Sequence, residues 1–275
     1  MMQLFNDNPV KITYNFINTL FFWRQRAGNI LWRTGMKQTG RYLVILALVV
    51  ALWNTIVIKP LKIFAVFLHE LGHSLMAVIF GNGIQGFRIS LDESGYALTL
   101  PKSDFSAFMI ANGGYLGSVL FALLILWLKR TALKKYILGA SAMLLLGVSI
   151  AYGKSVFTII YAAIFAGMVL LLYMLHNEKL NDWVIDIIGV ASAAYAIYDT
   201  FVDTILLQIN LRFALIPGWG TYQPLTDAVQ LQKMTHVPAV VWGVIWLVIA
   251  CVAFYSTVMH GKRSTASSRS KKKAA

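Results

Sequence analysis

Seven stretches of the chain are apolar for long enough to cross a bilayer, which takes about 20 residues at the helical rise. They fall near 41–58, 62–80, 106–128, 134–151, 154–175, 183–209 and 238–259. The pattern predicts an all-α polytopic membrane protein of about seven transmembrane helices. Residues 16–32 carry Phe21, Phe22 and Trp23 but also Arg24 and Arg26, so they suit the membrane interface better than its interior. Between the second and third runs the period changes. Gly86-Phe87-Arg88-Ile89-Ser90-Leu91 and Tyr96-Ala97-Leu98-Thr99-Leu100 flank Asp92-Glu93-Ser94-Gly95, two β-prone stretches around a turn, and predict a small β-hairpin. The chain divides into an interfacial segment at 1–40, a membrane-embedded domain at 41–260 and a basic tail at 261–275 that is expected to be disordered.

Composition agrees with the pattern: 275 residues, 58% hydrophobic and 13% charged, with a mean hydropathy of +0.67. The opening residues hold Asn6, Asp7, Asn8 and Pro9 where a secretory signal would have a basic stretch and an apolar run, so the first span is expected to direct insertion itself. Much of the net charge of +13 lies in the tail, with Lys262, Arg263, Arg269 and Lys271 to Lys273, which suits anionic headgroups. A nucleic-acid partner is not expected, because no aromatic residue follows Tyr255 to interleave with those cations. Cys251 is the only cysteine, which excludes an internal disulfide and a thiolate-rich metal site. Any metal must be held by histidine and carboxylate.

The second run contains such groups. His69-Glu70-Leu71-Gly72-His73 places two imidazoles and a carboxylate in an apolar helix, where they are costly unless something binds them. Positions i and i+4 share a helix face, so His69 and His73 can offer nitrogens to one ion while Glu70 stands beside its open position. H-E-x-x-H is the zincin signature. Backbone carbonyls could satisfy two buried histidines, but that leaves Glu70 without a partner. A catalytic zinc needs a third protein ligand, and Asp199, Asp203, Asp227 and His236 are the candidates. Asp199 and Asp203 are i, i+4 neighbours in an apolar run, with Tyr195 or Arg212 as possible partners. Asp227 follows the broken stretch Gly218-Trp219-Gly220-Thr221-Tyr222-Gln223-Pro224, and irregular backbone near a membrane is tolerated where it lines protein or water. In the third span, Asn112-Gly113-Gly114-Tyr115-Leu116-Gly117 sets Gly113 and Gly117 four apart, which lets another helix approach closely. The Asn112 amide needs a partner in lipid, and could orient a substrate carbonyl or the attacking water.

On these motifs the chain resembles the site-2 protease family of intramembrane zinc metallopeptidases, and most closely its compact bacterial members. The resemblance covers about 64–246. It rests on Phe67-Leu68-His69-Glu70-Leu71-Gly72-His73, the hairpin, Asn112-Gly113-Gly114-Tyr115-Leu116-Gly117, and Thr226-Asp227-Ala228 leading to Val237-Pro238-Ala239-Val240-Val241-Trp242-Gly243. In the wider family the third ligand is an aspartate in a Leu-Asp-Gly context after an Asn and a Pro. Here Pro224-Leu225-Thr226-Asp227-Ala228 keeps only the Pro and the Asp, so Asp227 is favoured, with Asp203 and then Asp199 behind it. The resemblance implies Zn2+ as cofactor, held by His69, His73 and Asp227, with Glu70 as general base. It implies transmembrane proteins as substrates, cut within or next to their spans in regulated intramembrane proteolysis, and a multi-pass location in a bacterial plasma membrane.

Two other readings use the same residues. An inactive pseudo-protease or metal-binding regulator would keep the fold with an inert site. A metal transporter would need ionisable residues along a path through several spans, whereas here they cluster on the second and sixth runs and at 210–236. The charges also conflict over orientation. Arg24, Arg26, Arg33, Lys37 and Arg41 argue for a cytosolic N-terminus, while Lys129, Arg130, Lys134, Lys135 and the tail argue for the opposite frame if there are seven spans. The resemblance favours a cytosolic hairpin. The sequence names neither a substrate nor an oligomeric state.

Overall fold

The computed structural model of the chain describes residues 38–219 and 226–273, with side chains to Thr257. The proposed interfacial helix at 16–32 lies outside the described residues. The chain divides into two units, Met1–Arg41 and Tyr42–Ala275. Six described helices are long and apolar enough to cross a membrane. The first apolar run falls short of being a seventh. α1 (Gln38–Ala51) has 14 residues, about 21 Å at the helical rise, against a hydrocarbon core of about 30 Å. Turns interrupt the run, where the Thr55 hydroxyl donates to the Leu52 carbonyl at 2.7 Å, and Pro60 in the first turn of the next helix sets a fresh start.

α2 (Lys59–Phe80) carries the histidine motif and is followed by the hairpin, β1 (Ile84–Ile89) and β2 (Gly95–Thr99). The strands pair antiparallel, with Phe87 opposite Ala97 and Ile89 opposite Gly95. The hairpin starts and ends earlier than its β-prone residues suggest, because the Ser90 amide donates to the Ser94 carbonyl and takes Ser90 and Leu91 into the turn. Glu93 turns left-handed at φ 68°, and its carboxylate pairs with Lys62 at 3.2 Å. This contact ties the tip of the hairpin to the first turns of α2, so the hairpin lies back along the helix that precedes it.

α3 (Asp104–Leu128) is capped by Ser103, whose hydroxyl accepts from the Ser106 amide. It packs tightly on α2. A Cβ at Gly117 would stand 2.7 Å from the Gly72 Cα, and one at Gly113 would stand 2.8 Å from the Gly72 carbonyl oxygen. The small residues of α3 therefore meet the glycine inside the histidine motif, as close helix approach requires. After a 3-10 turn (Ala132–Tyr136) come α4 (Ile137–Tyr152), α5 (Val156–Met174) and α6 (Glu178–Thr200). α6 runs through a π-helical segment, Phe201–Leu206, into α7 (Leu207–Phe213). α8 (Asp227–Thr235) is short, and α9 (Ala239–Lys273) keeps a helical backbone into the segment that composition marked as a tail. Phe64, Phe67 and Phe87 are buried at the centre of the main apolar cluster, which joins α2 and β1 to α4 and α5.

Candidate metal centre

Three side chains from two distant segments converge. His69 Nε2 lies 3.2 Å from Asp227 Oδ2, His73 Nε2 lies 3.1 Å from the same oxygen, and the two Nε2 atoms are 3.1 Å apart. Metal bonds of about 2.0–2.1 Å in a tetrahedron separate their ligand atoms by roughly 3.3 Å, so this triangle has the dimensions of one tetrahedral face. His69, His73 and Asp227 also form the described group of histidine and carboxylate donors that could hold an ion. Asp227 is at the first position of α8, and the Thr226 hydroxyl fixes that start by accepting from the Val229 amide. Burial alone would raise its carboxyl, but the charge of His73 and hydrogen bonds with His69 and His73 outweigh it and hold Asp227 well below the usual carboxylate range. A metal ligand needs that ionised form.

The surroundings orient the imidazoles. His73 Nδ1 lies 2.7 Å from the Ile110 carbonyl; with the proton on Nδ1 donated there, the Nε2 lone pair is left for a metal. The Tyr115 ring stands edge-to-face on His69 with centroids 4.7 Å apart, and Trp246 stacks on its other side at 4.8 Å. Gly114 backs the centre: a Cβ there would run into the Nε2 atoms of both histidines. The motif reading of the third span covered Gly113 and Gly117 but not Gly114, whose role depends on the two histidines facing it.

The other candidates are distributed around the centre. Asp199 and Asp203 line the same cavity of about 540 Å³ without joining the donor triangle. Asp203 Oδ2 accepts a long hydrogen bond of 3.5 Å from the Tyr115 hydroxyl. As their i, i+4 spacing predicts, the two carboxylates share the face that looks into the cavity, although a π-helical segment begins between them. Asn112 is used structurally. Its Oδ1 accepts from Trp246 Nε1 at 2.9 Å, its Nδ2 donates to the Phe108 carbonyl at 2.9 Å, and it is not among the residues that line the cavity. His236 ends α8 in a left-handed conformation, away from the cavity. Most of the broken stretch before Asp227, residues 220–225, lies outside the described residues.

Glu70 is buried in the cavity wall. A Cβ at Gly95 would stand 3.0 Å from Glu70 Cγ and 2.8 Å from Val66 Cγ1, so β2 can run this close to the motif only as glycine. The two hairpin edges differ. On β1, the outward main-chain groups are taken: Phe87 O accepts from the Lys154 amide at 2.9 Å, and Ile89 bonds the Thr158 hydroxyl through both its amide and its carbonyl. Because Phe87 and Ile89 point outward there, their partners Ala97 and Gly95 present their main-chain groups on the outer edge of β2. Gly95 and Ala97 line the cavity.

A family model described as Peptidase M50B-like matches residues 42–257, and the chain belongs to that family, within the site-2 protease group of membrane metallopeptidases. Neither a curated protein nor a solved structure gives a match.

Proposed function

We propose that the protein is a zinc endopeptidase that hydrolyses peptide bonds within or beside the transmembrane segments of other membrane proteins. His69, His73 and Asp227 would hold the metal, and their spacing fits it. When bound, zinc supplies Lewis acidity that polarises a scissile carbonyl and makes water a nucleophile near neutral pH. Glu70 takes a proton from the attacking water on its carboxylate and returns it to the leaving amine, the double duty of a general base in peptide hydrolysis. The outer edge of β2, which lines the cavity, pairs with the substrate as an added strand; the Ala97 amide faces the Glu70 carboxylate and leaves it to bond the substrate. A transmembrane helix must unwind before its carbonyls can be reached, and this edge holds it extended beside Glu70. Substrates with mid-membrane Gly or Pro are the ones that unwind most readily. Regulated intramembrane proteolysis is the process such an activity serves.

The observation that carries this reading is the joining, in one cavity, of the His69–His73–Asp227 triangle, the Glu70 carboxylate and the edge of β2 that lines it. The test is to purify the protein beside Glu70→Gln and His69→Ala, measure bound zinc, and incubate each with single-span peptides containing central Gly or Pro. About one zinc per chain is expected, lost in His69→Ala. Cleavage is expected to vanish in Glu70→Gln with the zinc retained. A wild-type chain that binds zinc and cuts none of the panel would instead favour an inert metal-binding protein.

A further inference from the structure

The Tyr115 phenol is held rigidly beside the donor triangle, yet its proton is not firmly bonded. Tyr115 is 3% exposed, and its ring is clamped from two sides. His69 meets it edge-to-face at 4.7 Å and 85°, and Trp246 stacks on it at 4.8 Å and 28°. Trp246 is itself anchored, buried on α9 with its Nε1 donating to Asn112 Oδ1 at 2.9 Å. Packing therefore fixes where the hydroxyl stands. Its contact among the described residues is with Asp203 Oδ2 at 3.5 Å, well beyond the usual O–H···O length of about 2.7–2.8 Å. The charges of Asp199, Asp203 and Asp227 all act on it, so it lies on the acidic side of the cavity.

Peptide hydrolysis places negative charge on the scissile carbonyl oxygen as water adds, and a preorganised donor aimed at that oxygen lowers the barrier. Asn112, the amide that the third span offers for orienting a carbonyl, bonds Trp246 and Phe108 instead. Ala111 and Tyr115, four apart on α3, share the face that lines the cavity. The other hydroxyls on the cavity are less well placed. Ser94 donates to Asp92, Thr226 caps α8, Tyr96 is exposed, and Thr99 lies at the end of β2 away from Gly95, the residue that meets Glu70.

We propose that Tyr115 is a catalytic residue of the hydrolysis, its hydroxyl turning from Asp203 to donate to the scissile carbonyl oxygen as that oxygen becomes negative. This rests on the proteolytic reading of the same cavity. The water oxygen bonds the carbonyl carbon, one water proton passes to Glu70, and the π pair moves to the carbonyl oxygen, where Tyr115 shares its proton without giving it up. When the C–N bond breaks, the oxygen pair restores the carbonyl, Glu70 returns the proton to the leaving nitrogen, and the Tyr115 hydroxyl goes back to Asp203. Asp203 and Trp246 are positioning residues: the carboxylate holds the phenol proton between turnovers, and the indole fixes the ring.

The test compares the zinc-loaded protein in detergent with Tyr115→Phe, which keeps the ring and both ring contacts. Two probes are built on one single-span peptide with a central Gly. One is a phosphinate, whose tetrahedral anionic oxygen mimics the developing oxyanion; the other is a reduced amide, which has no oxygen at that position. By calorimetry, Tyr115→Phe is expected to bind the phosphinate about 100-fold more weakly, with reduced-amide affinity and bound zinc unchanged. On the parent peptide, kcat should fall by a similar factor with KM unchanged. Equal weakening of both probes, or loss of zinc, makes the role of Tyr115 structural and overturns the inference. Tyr115→3-fluorotyrosine keeps the ring and carries a more acidic hydroxyl, and should hold the phosphinate at least as tightly as the wild type; a loss of affinity there overturns the inference even if Tyr115→Phe does not fold. A wild-type chain that binds the phosphinate and cuts the peptide, matched in both by Tyr115→Phe, defeats the role of Tyr115 and leaves the proteolytic reading intact. A wild-type chain that does neither defeats the proteolytic reading, and the inference with it.

Discussion

α2 and α3 bury 61% and 67% of their most apolar stretches inside the protein, whereas α4 and α5 bury 28% and 22%. All four belong to apolar segments of spanning length, α4 together with the 3-10 turn before it, so hydrophobicity does not separate the pair that builds the centre from the less buried pair. Their glycines do. In α2 and α3, a Cβ at Gly72, Gly113, Gly114 or Gly117 would collide with the neighbouring helix or with the His69 and His73 imidazoles, while Gly147 in α4 and Gly167 in α5 have nothing within 4 Å and Gly139 in α4 meets only the end of the Tyr173 side chain. In lipid, where apolar burial gives helices little reason to associate, close backbone approach and buried polar contacts hold the functional pair together. They also position the chemistry, since the same contact that brings Gly72 to Gly113 sets His73 Nδ1 against the Ile110 carbonyl.

The largest effect should come from the ligands. Asp227→Ala is expected to lose bound zinc and all peptide cleavage, while Asp203→Ala keeps its zinc; metal analysis of both purified variants decides between the third-ligand candidates. An Asp203→Ala protein that lost zinc while Asp227→Ala kept it would move the centre onto the π-helical segment Phe201–Leu206.

Gly114→Ala should come next, with most zinc and activity lost, because the added methyl occupies the space facing both Nε2 atoms. Its counterpart in the lipid-facing pair, Gly147→Ala, adds a methyl to open space and should leave zinc content and cleavage at the wild-type level. Equal effects from the two substitutions would break the comparison.

Trp246→Phe keeps the ring that stacks on Tyr115 but removes the donor to Asn112 Oδ1. Leaving this partly buried amide oxygen unpaired costs up to about 1 kcal/mol, to be read as lower thermal stability in detergent with zinc still bound. The smallest change is expected for Gly167→Ala. It should raise thermal stability slightly, by up to about 1 kcal/mol, as an alanine replaces a glycine in a helix interior.

The helices are legible in the chain because a spanning run is a continuous stretch of apolar residues, and the hairpin because Asp92-Glu93-Ser94-Gly95 breaks two β-prone stretches. The first run was misleading, since 41–58 is apolar but for Arg41, Asn54 and Thr55, and the turns that end α1 are set by local hydrogen bonds and by Pro60. Within the centre, the pairing of His69 with His73 can be read directly, because four residues along a helix return to the same face. Asn112 stood out as a lone amide in lipid, yet the structure gives it to Trp246, a partner on another helix that no local pattern reveals. Tyr115 and Gly114 carried no signal of their own beyond a small-residue motif. Their importance comes from facing His69 and His73.

Residue order alone determines that this chain lives in a membrane, that any metal it holds must be bound by histidine and carboxylate, and that Glu70 stands beside two histidines on one helix. These are properties of composition and of helical repeat, which depend only on near neighbours along the chain. Tertiary structure alone brings Asp227 to the histidines in preference to Asp199 and Asp203, and sets the edge of β2 on the cavity while that of β1 is bonded to Lys154 and Thr158. These depend on which distant segments pack together, and in lipid that is decided by close glycine contacts and buried hydrogen bonds that apolar periodicity does not record.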